Sequence, residues 1–199
     1  MKRTHKPSEL CAFIEQHSHR LVEILHDLVR TPSENTPPFG GEEACQERIA
    51  DWVRELGWNP LLYPLEEVPG LSEHPAFFAG RDYRNRPNLG VRLRGSGRGR
   101  SLLLSGHIDT VPRGSLPWTR DPFGATEGNL LFGRGANDMK GGVATNLFVL
   151  EALRRLNIRL GAIFFLKRWS MRRSVHLSSS GKYSGCTVGR AGRKHARLG

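Results

Sequence analysis

Apolar residues recur at helical spacing in two stretches near the start of the chain. Six of them fall on one face of a helix over residues 8–29: Phe13, Ile14, Leu21, Ile24, Leu25 and Leu28. Four more form a stripe over residues 42–56: Ile49, Trp52, Val53 and Leu56. Gly57 follows the second stretch, and glycine commonly ends a helix. The pattern therefore predicts two amphipathic helices, separated by the proline-containing turn at 32–38.

Shorter apolar stretches predict strands at 60–65, 88–93 and 102–105. The last of these contains three consecutive leucines, a pattern typical of a parallel strand that is buried on both faces. Residues 70–86, rich in Pro, His and Arg, are expected to form a loop. The helical period returns at 142–156, through Val143, Leu147, Leu150 and Leu153. The alternation of helices and strands predicts a single α/β sandwich with a mixed sheet.

Two polar side chains follow the leucine-rich strand in the sequence LLSGHIDTVP. His107 and Asp109 lie just past its carboxyl end, the edge at which open α/β sheets bind ligands. Side chains two residues apart in extended backbone point the same way, so the two can approach one centre or each other. A carboxylate that accepts the spare N–H of a metal-bound imidazole fixes the imidazole tautomer. We therefore expect His107 to be a metal ligand and Asp109 to serve the catalytic site by orienting it.

A second carboxylate, Asp138, lies in the glycine-rich sequence LFGRGANDMKGG. The glycines permit tight turns and close approach of the backbone to an ion. The two carboxylate oxygens could bridge two cations about 3.5–4 Å apart, as in two-metal hydrolases. Because the helix at 142–156 follows directly, strand, loop and helix form one unit around the site. Asp138 is thus the second predicted metal ligand.

Each motif by itself also has an ordinary structural explanation. A single His-x-Asp is more often a surface pair than a metal site, and GRG followed by an aspartate can be a plain loop. Their occurrence together behind an apolar strand favours the metal site. The sequence GSGRGR at 95–100 is expected to be a turn and not a phosphate loop, because no helix opens after it. Four apolar residues are expected in loops around the site or packed against residues that the chain no longer encodes: Trp118, Phe123, Leu130 and Phe132.

These motifs resemble those of metallopeptidase family 20, which includes acetylornithine deacetylase, succinyl-diaminopimelate desuccinylase, aminoacylase and the glutamate carboxypeptidases. SGHIDTVP is similar to its first metal motif and GRGANDMKGG to its second, and the resemblance runs over roughly residues 21–160, including TPSENTPP at 31–38. His107 then matches a metal ligand, Asp109 the residue that orients it, and Asp138 the ligand that bridges two metal ions. The family also implies an unusual cis peptide after Asp138.

The resemblance has consequences for fold, cofactor and substrate. It implies a three-layer α/β catalytic domain of the phosphorylase/hydrolase type, with a mixed, mostly parallel sheet and two divalent ions, zinc or cobalt. It implies an N-acyl amino acid or a small peptide as substrate, with an acetylornithine deacetylase-like enzyme as first choice and a dipeptidase or carboxypeptidase close behind. Intact relatives are often homodimers, and we expect this chain to lack their dimerisation domain.

Positive charge is concentrated at one end of the chain. The formal net charge is +11, yet residues 161–199 hold nine of the 30 Lys and Arg and no Asp or Glu, which leaves 21 basic against 19 acidic residues upstream. Such a tail could bind nucleic acid or another polyanion through phosphate contacts. Alternatively, it could be the translation of a shifted reading frame. We expect the second case, with residues 1–160 forming the N-terminal part of the catalytic domain.

The resemblance favours the shifted frame. Intact family members continue with a strand and an Asp-Glu-Glu motif that carries the general base and the next ligand, whereas this chain has FFLKRWSMRRS at 164–174. Residues 169–173 can be back-translated with codons that encode Val-Asp-Glu-Glu in a second frame, which starts at the third nucleotide of each codon. Without those glutamates and the later ligands, we expect negligible catalysis and weak metal binding.

The remaining features concern location and partners. The sequence has no apolar run of about 18 residues, so no membrane partner is expected. Its basic start, MKRTHK, is not followed by an apolar signal core, so the cytosol is the expected location. Nucleic acid is not the expected partner. The three cysteines, Cys11, Cys45 and Cys186, have neither metal-binding nor redox spacing.

Overall fold

The structure is a computed structural model that describes residues 7–36, 38–75, 77, 79–95 and 102–158, together with the backbone of residues 164–169. Four α-helices lie within these ranges: α1 (Pro7–Gln16), α2 (Ser18–Arg30), α3 (Glu43–Glu55) and α4 (Gly141–Arg155). The helices predicted at 42–56 and 142–156 are confirmed, each to within one residue at either end. The loop predicted over 70–86 is also confirmed for its described residues.

The single helix predicted over 8–29 is wrong in one respect, because it is interrupted at His17. This residue has φ −114° and ψ 17°, outside helical geometry. Both its backbone N–H and its ring Nδ1 lie within hydrogen-bonding distance of the Phe13 carbonyl oxygen, at 3.0 and 2.9 Å. The interruption changes the direction of the first turns, so Ile14 is 41% exposed although it was expected to face inward.

Four strands form a mixed sheet: β1 (Leu61–Tyr63), β2 (Asn88–Leu93), β3 (Leu102–His107) and β6 (Phe164–Trp169). Their spatial order is β1-β2-β6-β3. The β1–β2 and β2–β6 pairings are antiparallel, and the β6–β3 pairing is parallel. The α/β class and the mixed sheet are therefore confirmed, and the strand predicted at 88–93 matches the observed one residue for residue.

The leucine-rich strand differs from expectation in burial. Within the described part of the chain, β3 pairs on one side only, with β6. Leu102 and Leu103 are consequently 53% and 56% exposed. The prediction of burial on both faces is wrong for these two residues, because a continuous apolar run does not distinguish a central strand from one at an edge. The strand also runs two residues further than predicted, so that His107 is its last residue.

Two further strands, β4 (Phe123–Glu127) and β5 (Leu130–Gly133), form an antiparallel hairpin that was not predicted. Phe123, Leu130 and Phe132 lie in these strands instead of loops. The turn between the strands contains Gly128 with φ +57°, a conformation that suits glycine at a tight hairpin turn. Trp118 does lie in a loop, as expected.

The helices and β2 share one hydrophobic core. Its buried members include residues from each of α2, α3, β2 and α4, for example Leu28, Ile49, Val91 and Leu147. Ile108, directly after β3, belongs to the same cluster and is fully buried. Because Ile108 is fixed in the core, the residues on either side of it are held at the carboxyl end of the sheet. No described helix is long and apolar enough to span a bilayer.

The division of the chain at residue 160 stays a prediction. Strand β6 lies beyond this boundary, and its backbone pairs with both β2 and β3. The rest of the basic tail, residues 170–199, lies outside the described residues, as do Cys186 and the sequence GSGRGR apart from its first glycine.

Candidate metal centre

His107 lies between two carboxylates at the end of β3. Its Nδ1 is 3.3 Å from Asp109 Oδ1, and its Nε2 is 3.3 Å from Asp138 Oδ1. The Asp109 carbonyl oxygen is a further acceptor, 3.2 Å from Nδ1. The structure thus brings together all three residues that the sequence predicted for the site. The two aspartates face different nitrogens of the ring. This is the arrangement expected if one aspartate orients the imidazole and the other binds the same metal ion as the imidazole.

The two carboxylates lie in different surroundings. The Asp109 side chain is only 2% exposed, whereas the Asp138 side chain is 52% exposed and the His107 ring is 16% exposed. A buried carboxylate loses hydration and requires hydrogen-bond donors from the protein, while an exposed one can exchange water for another ligand. Asp109 is therefore suited to a supporting role and Asp138 to direct contact with an ion.

The loop that carries Asp138 is fixed from both sides. Gly135 has φ +80°, and a Cβ at this position would collide with the Thr110 methyl group. The peptide between Asp138 and Met139 is cis, which confirms the cis bond that the family resemblance implied. Two residues after Asp138, the buried Lys140 ammonium donates to the carbonyl oxygens of Leu28 and Thr31, each at 2.8 Å. These contacts attach the loop to the end of α2.

A short segment from the first loop also reaches the site. Glu34 forms a parallel β-bridge with Thr110. On either side of it, the Thr110 N–H donates to Ser33 O at 2.9 Å and the Asn35 N–H donates to Thr110 O at 2.8 Å. The Ser33 hydroxyl donates to Ile108 O at 2.6 Å. Residues 33–35 therefore run alongside residues 108–110.

This arrangement adds two residues that the sequence analysis did not assign. Asn35 Nδ2 donates to Asp109 Oδ2 at 3.2 Å, and Arg81 Nη1 donates to Asn35 Oδ1 at 3.3 Å. Asn35 occurs in TPSENTPP, which contributed to the family resemblance, but no local pattern connects it with an aspartate 74 residues later. Arg81 lies in a loop without periodicity, so the sequence alone offers no signal for its position.

A fully buried ion pair lies close to the site. Glu42 and Arg86 have no exposed side-chain surface, and Arg86 Nη2 donates to Glu42 Oε1. Burial raises the pKa of Glu42 to about 7, the Arg86 charge opposes the rise, and the negative charge of Asp109 adds to it. Gly40 lies against both side chains, and a Cβ there would collide with Glu42 Oε2.

An open cavity of about 360 Å³ adjoins the site. Its lining includes both carboxylates, Asp109 and Asp138, together with the side chains of Asn35, Arg81 and Arg134. Two guanidinium groups therefore accompany two carboxylates in one cavity, which gives it polar character and a mixed charge.

The donor atoms of His107 and Asp138 fit one metal ion. Two ligands of a tetrahedral zinc ion, each bonded at about 2.0–2.2 Å, lie about 3.3–3.5 Å apart, and Nε2 and Oδ1 are 3.3 Å apart. Within the described ranges, however, no three or more His, Cys, Asp or Glu side chains are grouped so that they could hold an ion. Asp109 does not count as a third ligand here, because it faces the opposite nitrogen of the imidazole. The described residues thus offer two candidate ligands, His107 and Asp138.

Part of the chain that contains the site matches a known protein family. Residues 103–166 match the sequence model of peptidase family M20/M25/M40. This match begins in β3, contains both predicted metal motifs and ends within β6.

Several solved structures share the fold. The structure of human carnosine dipeptidase 1 has a TM-score of 0.64 at 22% identity, over 82% of this chain and 34% of that one. The dipeptidase Dug1p from Saccharomyces cerevisiae has a TM-score of 0.59 at 16% identity, over 84% and 35%. The M20 family metallo-carboxypeptidase Sso-CP2 from Sulfolobus solfataricus has a TM-score of 0.56 at 22% identity, over 75% and 30%.

At these identities the structural likeness establishes the fold. The chain spans about a third of the length of the structures that it matches. The resemblance to metallopeptidase family 20 is confirmed, since residues 103–166 carry the sequence pattern of peptidase family M20/M25/M40 within the catalytic-domain fold of M20 peptidases.

Proposed function

We propose that this chain is the N-terminal part of a metal-dependent hydrolase that cleaves linear amide bonds, with His107 and Asp138 as metal ligands. The observation that carries the proposal is the placement of His107, whose Nε2 faces Asp138 while its Nδ1 faces Asp109. The match of residues 103–166 to a peptidase family supports it.

Each of the three side chains has a distinct task in this proposal. The Asp109 carbonyl oxygen accepts from His107 Nδ1, and the Asp109 carboxylate lies 3.3 Å from the same nitrogen, which leaves the Nε2 lone pair available for an ion. Asp138 offers two carboxylate oxygens, one toward His107 and one for a second ion. When bound, divalent metal ions such as zinc or cobalt would polarise the substrate carbonyl and activate water.

The substrate we propose is an N-acyl amino acid or a small peptide. The acetylornithine deacetylase-like choice rests on the sequences TPSENTPP and HIDTVP, whereas two of the similar structures are of proteins named as dipeptidases. Both kinds of substrate have the amide carbonyl that is attacked close to a charged group. The guanidinium groups of Arg81 and Arg134 in the cavity beside Asp138 are compatible with either.

We further propose that the 199-residue chain binds metal weakly and does not turn over substrate. The described residues provide two ligands to one ion, and a tetrahedral site needs at least one more from the protein. The sequence at 164–174 has no acidic residue where the family resemblance implies a general base. A shift of the reading frame near residue 161, which we propose for this chain, would account for that difference.

Zinc titration tests the ligand assignment. Isothermal calorimetry on the full chain should give a dissociation constant that rises at least about 10-fold in His107→Ala and in Asp138→Ala, because each removes one of two ligands. His19→Ala, an exposed histidine on α2, serves as the matched control and should leave zinc affinity unchanged. Equal zinc affinity in all four proteins would refute the assignment.

The activity proposal has its own assay. A panel of N-acetyl amino acids and dipeptides, incubated with the chain and zinc or cobalt, should show hydrolysis no faster than the background reaction. Hydrolysis that exceeds the background and disappears in His107→Ala would show that the chain is a complete enzyme.

A further inference from the structure

We propose that Asn35 is a positioning residue of the metal centre, which holds the Asp109 carboxylate in the orientation that directs His107, and that Arg81 fixes the direction of the Asn35 amide. This inference rests on the proposed role of His107 as a metal ligand. It extends the site to two loops, one before α3 and one before β2, that contain none of the predicted ligands.

The Asn35 amide has only one chemically consistent orientation between its neighbours. Its Oδ1 lies 3.3 Å from Arg81 Nη1, and its Nδ2 lies 3.2 Å from Asp109 Oδ2. A guanidinium group only donates hydrogen bonds, and an ionised carboxylate only accepts them. A reversed amide would place donor against donor and acceptor against acceptor. Arg81 therefore selects the orientation in which Asn35 donates to Asp109.

The Asp109 carboxylate is in turn hydrogen-bonded through one oxygen, while the other lies beside the imidazole. Oδ2 accepts from Asn35, while Oδ1 lies 3.3 Å from His107 Nδ1. Rotation of a carboxylate about its terminal torsion is intrinsically soft, so one contact alone would leave the group poorly fixed. With Oδ2 bonded to Asn35 and the side chain only 2% exposed, the carboxylate keeps Oδ1 directed at the imidazole.

Backbone hydrogen bonds hold Asn35 next to Asp109. The bridge between Glu34 and Thr110 and the bond from Asn35 N–H to Thr110 O hold the two segments side by side. Asn35 and Asp109 consequently approach each other from neighbouring extended segments. The contact does not depend on a long flexible side chain, since both side chains are short.

The experiment combines NMR of the metal-free chain with zinc titration. Long-range proton–nitrogen spectra of the full chain should show His107 protonated at Nδ1, with Nε2 unprotonated. In Asn35→Leu, which keeps the branched side-chain shape and removes the amide, the Nδ1 proton signal should be lost through exchange with water. The zinc dissociation constant should rise about 10-fold, as is typical when an outer partner of a metal ligand is removed.

Two further variants complete the design. Arg81→Met keeps Asn35 but removes the donor that orients it. We expect a smaller loss of the Nδ1 proton signal and a smaller rise of the zinc dissociation constant. Thr36→Val removes a neighbouring exposed hydroxyl and should leave both the signal and the zinc affinity as in the wild type. Circular dichroism of each variant establishes that the fold is retained.

A folded Asn35→Leu protein with an unchanged His107 signal and unchanged zinc affinity would overturn the inference. If Asn35→Leu does not fold, Arg81→Met decides: unchanged behaviour there overturns it equally. Failure of the proposed function gives a different result, because zinc would then not bind at His107 in the wild type while the Nδ1 signal would still respond to Asn35→Leu.

Discussion

At the scale of single residues, burial separates the carboxylates that support the site from the one that faces solvent. Asp109 and Glu42 are both buried, and the negative charge of Asp109 contributes to the raised pKa of Glu42. Arg86 provides the compensating positive charge for Glu42. A buried pair of this kind is costly to separate, because removal of one partner leaves the other as an uncompensated charge.

The raised pKa of Glu42 predicts a pH dependence of stability. Its pKa rises from the ordinary value of 4.5 to about 7 on folding, so between these values the folded state retains a proton that the unfolded state has released. Because the folded state binds more protons, the free energy of unfolding should fall as pH rises through this window. Urea unfolding at about pH 5 and about pH 7 measures the slope.

Glu42→Gln provides the comparison for this prediction. The variant cannot titrate, so its free energy of unfolding should vary less with pH over the same window, whatever its absolute stability beside Arg86. Glu43→Gln, the exposed neighbour, should retain the wild-type slope. If the free energy of unfolding changed equally with pH in Glu42→Gln and in the wild type, Glu42 would be ionised in the folded state over the whole pH window.

At the scale of elements, the contact between α2 and the Asp138 loop depends on Lys140. This side chain is 1% exposed, and its ammonium group donates to Leu28 O and Thr31 O at the carboxyl end of α2. A cation is favourable at that end of a helix, where carbonyl groups lack helical partners. Burial lowers the pKa of Lys140 from its ordinary value.

Lys140→Met should therefore destabilise the protein by about 2 kcal/mol, because the carbonyl oxygens of Leu28 and Thr31 lose the ammonium donor. Methionine keeps the length of the chain, so the loss reflects the hydrogen bonds more than packing. Arg30→Met, an exposed residue in the last turn of α2, is the control and should change the free energy of unfolding by less than about 0.5 kcal/mol. Urea unfolding that shows equal effects for both variants would mean that the contact does not stabilise the loop.

The elements also show what the sequence could predict. Local periodicity was sufficient for α3, α4 and β2, whose apolar stripes are continuous. It failed at His17, where a side chain competes for a backbone carbonyl, and at Leu102 and Leu103, where exposure depends on strand order. The predicted site residues His107, Asp109 and Asp138 meet as expected. Asn35 and Arg81 could not be found, because their contacts join loops distant in sequence.

At the scale of the whole molecule, the exposed leucines of β3 affect behaviour in solution. In the described part of the chain, β3 pairs only with β6, and an exposed apolar strand at an edge favours association between molecules. Leu103→Lys should reduce aggregation, measured by light scattering against protein concentration, with little change in the unfolding midpoint. The same substitution at Leu130, also exposed at 62% but in the hairpin, is the control for a general effect of charge. Equal effects at both positions would contradict a specific role of the β3 edge.

The proposed change of reading frame is testable at the level of the gene. The change is expected near codon 161, before the codons of β6, because the alternative reading of residues 169–173 already requires the shifted frame there. Sequencing of the coding DNA beyond codon 160 should show Asp-Glu-Glu in a second frame, followed by a long open stretch. If all three frames lack it, residues 161–199 are a genuine basic segment, and salt-dependent binding to polyanions becomes the explanation to examine.

The central claim is that His107 and Asp138 share a metal ion, and anomalous X-ray diffraction at the zinc edge tests it most directly. Crystals of the full chain grown with zinc should show an anomalous peak about 2.0–2.2 Å from both His107 Nε2 and Asp138 Oδ1. Asp109 should remain on the Nδ1 side of the ring, outside bonding distance. Zinc bound at other residues, with none between His107 and Asp138, would contradict the account.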